Sequence, residues 1–258
     1  MAGAEREVEA KLIVVSERPR EVVERVAALG SLAGRRLVDR GEQRLRDVYH
    51  DTPGGELVRR RAAVRLRHGD GGVRLTLKAE GRAVRAGTAD RLEVEAAWSA
   101  AALERVAAAL EGLGVGLPRP ASADGEPGEV LARMGLVVVQ DRVTVRRVRD
   151  VLPPGAGGGA PLAELVVDSV GYVGGRAWHH EVEVEARGEE GAAALEELED
   201  ALAGLFAGEL RAWPHSKQAT GKAVEALLAG PGGEGLVGPG GDLVPAAYER
   251  IDAYLGGR

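Results

Sequence analysis

The chain has 258 residues, of which 45% are hydrophobic and 29% are charged, and its formal net charge is -6. This length and composition are typical of a globular protein with a sizeable core, and the acidic balance excludes a protein that binds nucleic acid through overall charge. The sequence contains no cysteine, which excludes disulfides, thiolate metal ligands and cysteine nucleophiles. It shows neither a secretory signal nor an apolar run of 18 residues, so we expect a cytoplasmic protein that binds no membrane.

Two periodicities identify the secondary structure in the first half of the chain. Alternating apolar and charged residues predict strands, and apolar residues at every third or fourth position predict helices. In chain order the patterns predict a strand at 5–15, a helix at 19–29, strands at 43–50, 63–67, 73–78 and 91–98, and a helix at 99–113. Ser99 is the predicted N-cap of that helix, and the Gly-Asp-Gly-Gly sequence at 69–72 predicts a hairpin turn.

The second half begins after a connection at 114–128 that is rich in proline and glycine. The same patterns predict strands at 136–151, 162–172 and 178–187 and helices at 190–205 and 217–228. We therefore expect one domain at 1–229 and a Gly/Pro-rich linker at 230–242. The remaining residues, 243–258, are predicted to form a short amphipathic helix that packs back on the domain.

Pairs of glutamates separated by a single valine recur along the chain. The pairs are Glu7 and Glu9, Glu93 and Glu95, and Glu183 and Glu185, and Glu181 precedes the last pair. Because side chains alternate across a strand, both glutamates of a pair share one face. One such pair usually means a solvated face, but three copies with basic strands between them favour a shared function.

The basic strands show the same alternation with the opposite charge. Their polar faces carry Arg65 and Arg67, then Arg74, Thr76 and Lys78, and later Arg142, Thr144 and Arg146. An ordinary half-buried sheet has the same binary pattern, so the segregation by sign is the informative part. Around a closed barrel, acids of this kind bind hard divalent cations and bases hold a polyanion. Several registers fit the strand at 136–151, and a shift by one residue would turn its charged face outward.

The order of these motifs resembles the CYTH superfamily, also called triphosphate tunnel metalloenzymes. The matching segments are E-x-E-x-K at 7–11, Y-x-D-T-P at 49–53, R-L-R at 65–67, L-T-L-K at 75–78, R-x-E-x-E at 91–95, the acidic positions at 168 and 183–185, and S-K at 216–217. The resemblance implies an α+β fold with an eight-stranded antiparallel β-barrel, the triphosphate tunnel, and helices packed outside. It further implies that 1–229 is the tunnel domain, that the ligand is a small-molecule triphosphate, and that the protein is a monomer or a homodimer.

The resemblance also implies roles for individual residues. The residues expected to bind phosphate are Lys11, Arg65, Arg67, Lys78, Arg142, Arg146 and Lys217. The expected ligands of one or two Mg²⁺ or Mn²⁺ ions are Glu7, Glu9, Asp168, Glu183 and Glu185. Glu93 and Glu95 are expected to position the basic residues, and they join Lys11, Arg65, Arg67, Lys78 and Lys217 in the implied catalytic set.

Among the activities that the family implies, we predict metal-dependent hydrolysis of a triphosphate, with inorganic tripolyphosphate favoured. Thiamine recognition would benefit from an aromatic ring against its cationic ring. The chain has only eight aromatic residues, and Tyr49, Trp98, Trp178 and Trp213 all lie outside the charged tunnel motifs. The alternatives are a thiamine or nucleoside triphosphatase, an adenylyl cyclase, and a non-catalytic polyphosphate binder. A pure polyanion binder gains nothing from so many carboxylates, so the acidic residues favour catalysis.

One adjacent pair, His179 and His180, is a further candidate for metal binding. Neighbouring residues of a strand point to opposite faces, so these two rings cannot chelate one ion together. We therefore expect no metal site at this pair. His215 is expected to be a loop histidine.

Overall fold

The computed structural model describes residues 8–85, 88–119, 122–155, 159–231 and 233–257, without the side chains at 80–93. Two predicted site residues are affected, because Glu7 and the side chain of Glu93 lie outside this part of the chain. The chain divides into two compact units. Of the described residues, unit 1 contains Leu45–Asp141, and unit 2 contains 8–44 together with 142–257.

The described residues form both strands and helices. The strands are β1 (Glu9–Val14), β2 (Ser31–Leu32), β3 (Arg35–Asp51), β4 (Ala62–Gly69), β5 (Gly72–Arg85), β6 (Thr88–Ala97), β7 (Val137–Val151), β8 (Ala163–Tyr172), β9 (Ala177–Ala186) and β10 (Leu210–Ala212). The helices are α1 (Pro19–Ala27), α2 (Glu56–Arg59), α3 (Ala100–Gly112), α4 (Pro127–Arg133), α5 (Gly188–Leu205), α6 (Lys217–Ala229) and α7 (Pro245–Gly256). This confirms the predicted α+β class. Eight strands of six or more residues are supplemented by β2 and β10, which have two and three residues.

The sheet of unit 2 has the strand order β10-β1-β9-β8-β7, and its neighbours pair antiparallel. In this register Lys11 lies opposite Glu183, and Asp168 lies opposite both Arg146 and Glu181. Residues that lie opposite each other in neighbouring strands share a face of the sheet. The register therefore places the charged residues of four strands on one face.

Apolar residues occupy the other face of this sheet. Leu12, Val167 and Val184 are buried in one cluster with residues of α1 and α5. Each fully buried valine or leucine contributes about 1.5–3 kcal/mol. This apolar packing supplies the stability that lets the opposite face carry charges.

The C-terminal segment of unit 2 is also packed. Tyr248 and Ile251 of α7 are buried together with Val224 of α6 in another cluster, so the predicted amphipathic helix does pack against the rest of the chain. The segment predicted as a linker accepts a backbone hydrogen bond from β9, from Trp178 N–H to the Gly241 carbonyl (2.8 Å), and Leu243, directly after it, donates to the Trp178 carbonyl (2.8 Å). These bonds fix that segment to unit 2.

Unit 1 contains the sheet β3-β4-β5-β6 with α3 packed on it. The Ser99 hydroxyl accepts a hydrogen bond from the Ala102 amide (3.2 Å), which confirms the predicted N-cap. Helix α4 is not predicted by the sequence, yet it buries Val130 and Leu131 in the same cluster as the apolar side of α3. None of the helices in the described part of the chain combines the length and the apolar character needed to cross a membrane.

Candidate functional site

Unit 2 holds a group of charged side chains on the sheet face that points away from α1 and α5. Three of its carboxylates are buried, the other members are partly buried, and Asp168 and Glu181 are fully inaccessible to solvent. We call this group the charged cluster. It consists of Glu9, Lys11, Arg146, Asp168, Glu181, Glu183, Glu185 and Lys217.

Two lysines connect the carboxylates of the charged cluster. The Lys217 ammonium lies 2.6 Å from Glu183 Oε2 and 3.1 Å from Asp168 Oδ2, and it also contacts Glu181. The Lys11 ammonium lies 3.0 Å from the other oxygen of Glu183 and 3.6 Å from Glu9. Glu183 is therefore held between two ammonium groups, one at each oxygen.

Arg146 forms the third basic group of the cluster. Its guanidinium donates two hydrogen bonds to Asp168, from Nε to Oδ1 (3.0 Å) and from Nη2 to Oδ2 (2.7 Å). It also lies 3.6 Å from Glu183 and 3.8 Å from Glu185. Arg146 and Lys217 together contact both oxygens of Asp168, so that residue holds two bases in place, and its role as a metal ligand stays a prediction.

Lys217 is positioned from both ends. Its backbone carbonyl accepts a hydrogen bond from the Tyr172 hydroxyl (3.0 Å). Its ammonium contacts Glu181, whose other carboxylate oxygen is 2.9 Å from His179 Nε2. The His179 ring stacks on Tyr172 with a centroid separation of 5.5 Å. Residues Glu181 and His179 are absent from the predicted site, although Glu181 continues the alternation of Glu183.

Electrostatics keep most of the cluster ionised. Burial lowers the pKa of Lys217, but Glu181, Glu183 and Asp168 outweigh it and hold that pKa above its usual value. Burial raises the pKa of Asp168, but Lys217 and Arg146 lower it below its usual value. Burial also raises the pKa of Glu181, but Lys217 and His179 outweigh it and hold that pKa well below the usual range. Burial and repulsion from Glu181 instead raise the pKa of Glu183.

The donor atoms of the cluster fit a divalent cation. Oxygens of Glu9, Glu183 and Glu185 lie within 4.8 Å of one another, and carboxylate oxygens are the ligands that Mg²⁺ and Mn²⁺ prefer. A second set of carboxylates, Asp168, Glu181 and Glu183, is equally close but already surrounds the Lys217 ammonium. The cluster has five carboxylates and three basic groups, so its formal excess of two negative charges matches one divalent ion.

Unit 1 holds a second group of charged residues, which we call the basic cluster. It consists of Asp47, Arg65, Arg67, Arg74, Thr76, Lys78 and Glu95. Arg67 donates two hydrogen bonds to Asp47, at 2.8 and 3.0 Å, and Asp47 is 1% exposed. Arg65 donates to the Thr76 hydroxyl (3.2 Å) and to Glu95 (3.3 Å). Both guanidinium groups are thereby oriented before any ligand binds.

Glu95 is the centre of the hydrogen bonds in the basic cluster. It accepts from Arg65, from Arg74 (2.8 Å) and from the Thr76 hydroxyl (3.1 Å). Burial raises its pKa, but the hydrogen bond from Arg74 and the charge of Arg65 bring it below the usual value. An ionised Glu95 in contact with two arginines has the geometry that its predicted positioning role requires. Lys78 is half-buried on the same strand face as Thr76.

The remaining predicted phosphate ligand is Arg142. It is buried on β7. Because it precedes Arg146 by four residues and side chains alternate along a strand, both side chains lie on the same face. Of the predicted residues, the structure brings seven together in the charged cluster, places Arg142 on the same strand face as one of them, and keeps Arg65, Arg67, Lys78 and Glu95 together in unit 1.

Comparison with known proteins gives the family. Residues 5–210 match the CYTH domain. The chain belongs to the CYTH family. Among the curated proteins, none matches the chain significantly.

Two solved structures share the fold. One is a protein from Hippeastrum described as an adenylyl cyclase candidate with a dominant triphosphatase activity; it is 18% identical, the match covers 84% of this chain and 95% of that one, and the TM-score is 0.55. The other is a candidate adenylate cyclase from Bacillus halodurans, with 16% identity, coverage of 83% and 95%, and a TM-score of 0.51. At these identities the likeness establishes the fold alone, and with it the α+β class that the motifs predict.

Proposed function

We propose that this CYTH protein is a metal-dependent triphosphatase with inorganic tripolyphosphate as its favoured substrate. The observation that carries the proposal is the charged cluster, where three close carboxylates, Glu9, Glu183 and Glu185, lie beside three partly buried basic groups. A metal triphosphate needs such a combination of oxygen ligands for the ion and cationic donors for the phosphates. The dominant triphosphatase activity described for the Hippeastrum relative supports the same reaction class.

The arginines of the basic cluster would bind phosphate oxygens. A guanidinium group can donate two parallel hydrogen bonds to a phosphate, and a group already oriented loses little entropy on binding. Asp47 orients Arg67, while Thr76 and Glu95 orient Arg65. We assign phosphate binding to Arg65, Arg67, Lys78, Arg142 and Arg146.

Lys11 and Lys217 would act as charged donors rather than as bases. Burial lowers the pKa of Lys11, but Glu181 and Glu183 outweigh it, so that its pKa, like that of Lys217, lies above the usual value. Both amines therefore stay protonated at neutral pH. Their positive charge stabilises the negative charge that the terminal phosphoryl group spreads over its oxygens during transfer.

Glu9, Glu183 and Glu185 would hold the metal. When bound, a divalent ion would neutralise phosphate charge and lower the pKa of a coordinated water. In the reaction a water oxygen forms a bond to the terminal phosphorus, the bridging P–O bond breaks, and orthophosphate and pyrophosphate leave. The protein contributes orientation and charge, and it needs no covalent nucleophile.

An organic triphosphate is the second candidate, and one observation favours it. Tyr49 lies opposite Arg65 in the β3–β4 register, so that an aromatic ring shares the face of the basic cluster. A planar organic group could pack against such a ring. The other three aromatic candidates are used elsewhere: Trp98 packs in the apolar cluster of unit 1, Trp213 is buried, and Trp178 lies on the opposite sheet face from the charged cluster.

The test is phosphate release from tripolyphosphate, thiamine triphosphate and ATP, with Mg²⁺, with Mn²⁺ and with a chelator. The variant is Glu9→Ala, and Glu21→Ala is the matched control because Glu21 is an exposed carboxylate of the same unit. We expect metal-dependent turnover, fastest with tripolyphosphate, that is lost in Glu9→Ala and kept in Glu21→Ala.

Other outcomes separate the alternatives. Faster turnover of thiamine triphosphate or ATP would replace the favoured substrate by an organic one, and cyclic AMP with pyrophosphate as the products from ATP would identify a cyclase. Tight binding of all three compounds without turnover would refute the enzyme and leave a polyphosphate binder.

A further inference from the structure

A pocket of about 310 Å³ opens on the other face of the same sheet, between α1 and strands β7, β8 and β9. Along β7, β8 and β9 its lining residues alternate with residues of the charged cluster, so the two sites lie on opposite faces of the sheet. The lining residues used below are Arg20, Val145, Arg147, Ser169, Trp178 and His180. The volume lies at the lower end of the range for small-molecule sites.

One wall of the pocket is a fixed aromatic ring. The Trp178 indole packs against Gly171, where an added Cβ atom would lie 2.9 Å from two atoms of the ring. The indole N–H donates a hydrogen bond to the Gly175 carbonyl (2.8 Å), which fixes the ring's rotation. Trp178 is only half-buried, so part of the indole remains available as a flat surface for a planar ligand.

A chain of hydrogen bonds sets the polarity at the base of the pocket. His180 Nε2 is 3.0 Å from Asp242 Oδ1, and its Nδ1 is 2.8 Å from the Ser169 hydroxyl. Arg20 also donates to Asp242, at 2.9 Å. An ionised carboxylate only accepts hydrogen bonds, so we assign a proton to His180 Nε2. Its Nδ1 pairs with the Ser169 hydroxyl, whose oxygen has two lone pairs and therefore keeps at least one for a donor from a ligand.

The rim of the pocket supplies hydrogen-bond donors. Arg147 donates through Nη1 to Glu24 (2.7 Å) and through Nε to Glu42 (3.3 Å). Among the described residues, no partner occupies its Nη2 group. The pocket thus combines a flat aromatic wall, a hydrogen-bond acceptor at Ser169 and guanidinium donors at its rim.

We propose that this pocket binds a planar heterocycle of the nucleobase type, with its ring against Trp178, an N–H group donating to Ser169, and a carbonyl oxygen accepting from Arg147. Nucleobases combine a stacking face with adjacent N–H donors and carbonyl or ring-nitrogen acceptors, which is the pattern that these three residues offer. The site is separate from the proposed triphosphate site and does not depend on it.

The test is calorimetric titration of the full-length protein with adenosine, guanosine, cytidine and uridine, which carry no phosphate. Val145→Phe would fill the pocket from β7. Val143→Phe is its matched control, because Val143 lies two residues earlier on the same face, is 39% exposed and does not line the pocket. We expect saturable one-to-one binding of at least one nucleoside, lost in Val145→Phe and kept in Val143→Phe. Ser169→Ala should weaken the binding about fivefold, as expected for one hydrogen bond.

Three results would overturn the proposal: no saturable binding of any of the four nucleosides, unchanged binding in Val145→Phe, or displacement of the nucleoside by excess tripolyphosphate. The last result would place the ligand at the charged cluster instead. Thermal unfolding of each variant shows whether a loss of binding comes from a loss of fold.

Discussion

Replacing Lys217 by methionine is the sharpest test of the charged cluster. Methionine keeps much of the side-chain length but removes the ammonium that contacts Asp168, Glu181 and Glu183. Removing one partner of a buried ion pair typically costs 3–5 kcal/mol, because the charge left behind is buried without compensation. We therefore expect Lys217→Met to lower the free energy of unfolding by about 3–5 kcal/mol at pH 8.

The loss of stability should depend on pH. In the native protein the pKa values of Asp168 and Glu181 are lowered on folding, so their contribution is present above the unfolded pKa and disappears as the pH falls through the folded pKa. Without Lys217, we expect burial to raise the pKa of Glu181 above its unfolded value of about 4, whereas Arg146 still pairs with Asp168. The folded variant then keeps protons that the unfolded chain releases, and its stability falls as the pH rises. One proton kept over two pH units changes the stability by about 2.7 kcal/mol, so the loss at pH 5 should be about 2 kcal/mol smaller than at pH 8.

The assay is urea unfolding followed by tryptophan fluorescence at pH 5 and pH 8, since Trp178 and Trp213 lie in unit 2 with the cluster. Lys222→Met is the matched control, because Lys222 lies on the same helix α6 and has no ion pair among the described residues. If Lys217→Met lowered the free energy of unfolding by less than about 1 kcal/mol, or by the same amount at both pH values, Lys217 would not be compensating buried carboxylates.

Three further substitutions test other parts of the structure. Arg65→Lys should raise the KM for tripolyphosphate about tenfold because lysine lacks the guanidinium fork, whereas Arg133→Lys, which replaces an exposed arginine of the same unit, should leave steady-state kinetics unchanged. Ser99→Ala should cost about 1 kcal/mol in thermal unfolding by removing the α3 cap; an unchanged melting temperature would contradict this. Gly191→Ala should destabilise the protein strongly because its Cβ atom would clash with the Leu162 carbonyl. Gly204→Ala, on the same helix but with open space at that position, should raise the free energy of unfolding by about 0.5–1 kcal/mol. Equal melting temperatures of the two variants would refute the clash.

The sequence predicts most of the fold because its periodicities are strong. Alternation predicts the strands that bury one apolar face, such as β4 and β9. Spacing of three or four residues predicts the helices with several apolar residues on one side, such as α1 and α3. The start of β3 does not, because its side chains from Asp39 to Arg44 are mostly exposed and carry no pattern. The seven residues of α4 make only two turns, which is too short for a helical period to stand out after a region rich in glycine and proline.

The candidate site is predictable in its residue types but less so in its contacts. Alternation places Glu183 and Glu185 on one face, and the structure brings Glu9 to them through the pairing of β1 with β9. Alternation alone does not reveal that Arg146 and Lys217 contact both oxygens of Asp168, because the first contact depends on the β7–β8 register and the second on how α6 packs against the sheet.

The buried charges also constrain how this protein can change during evolution. Each carboxylate and each base of the charged cluster offsets the desolvation of its neighbours, so the loss of a single member leaves an uncompensated charge in the interior. A copy of the gene that no longer needs the proposed activity therefore cannot lose Lys217 or Asp168 one at a time without losing stability as well. Selection for folding alone would therefore preserve these residues. We expect a lineage that has lost the proposed activity to replace them together by apolar side chains.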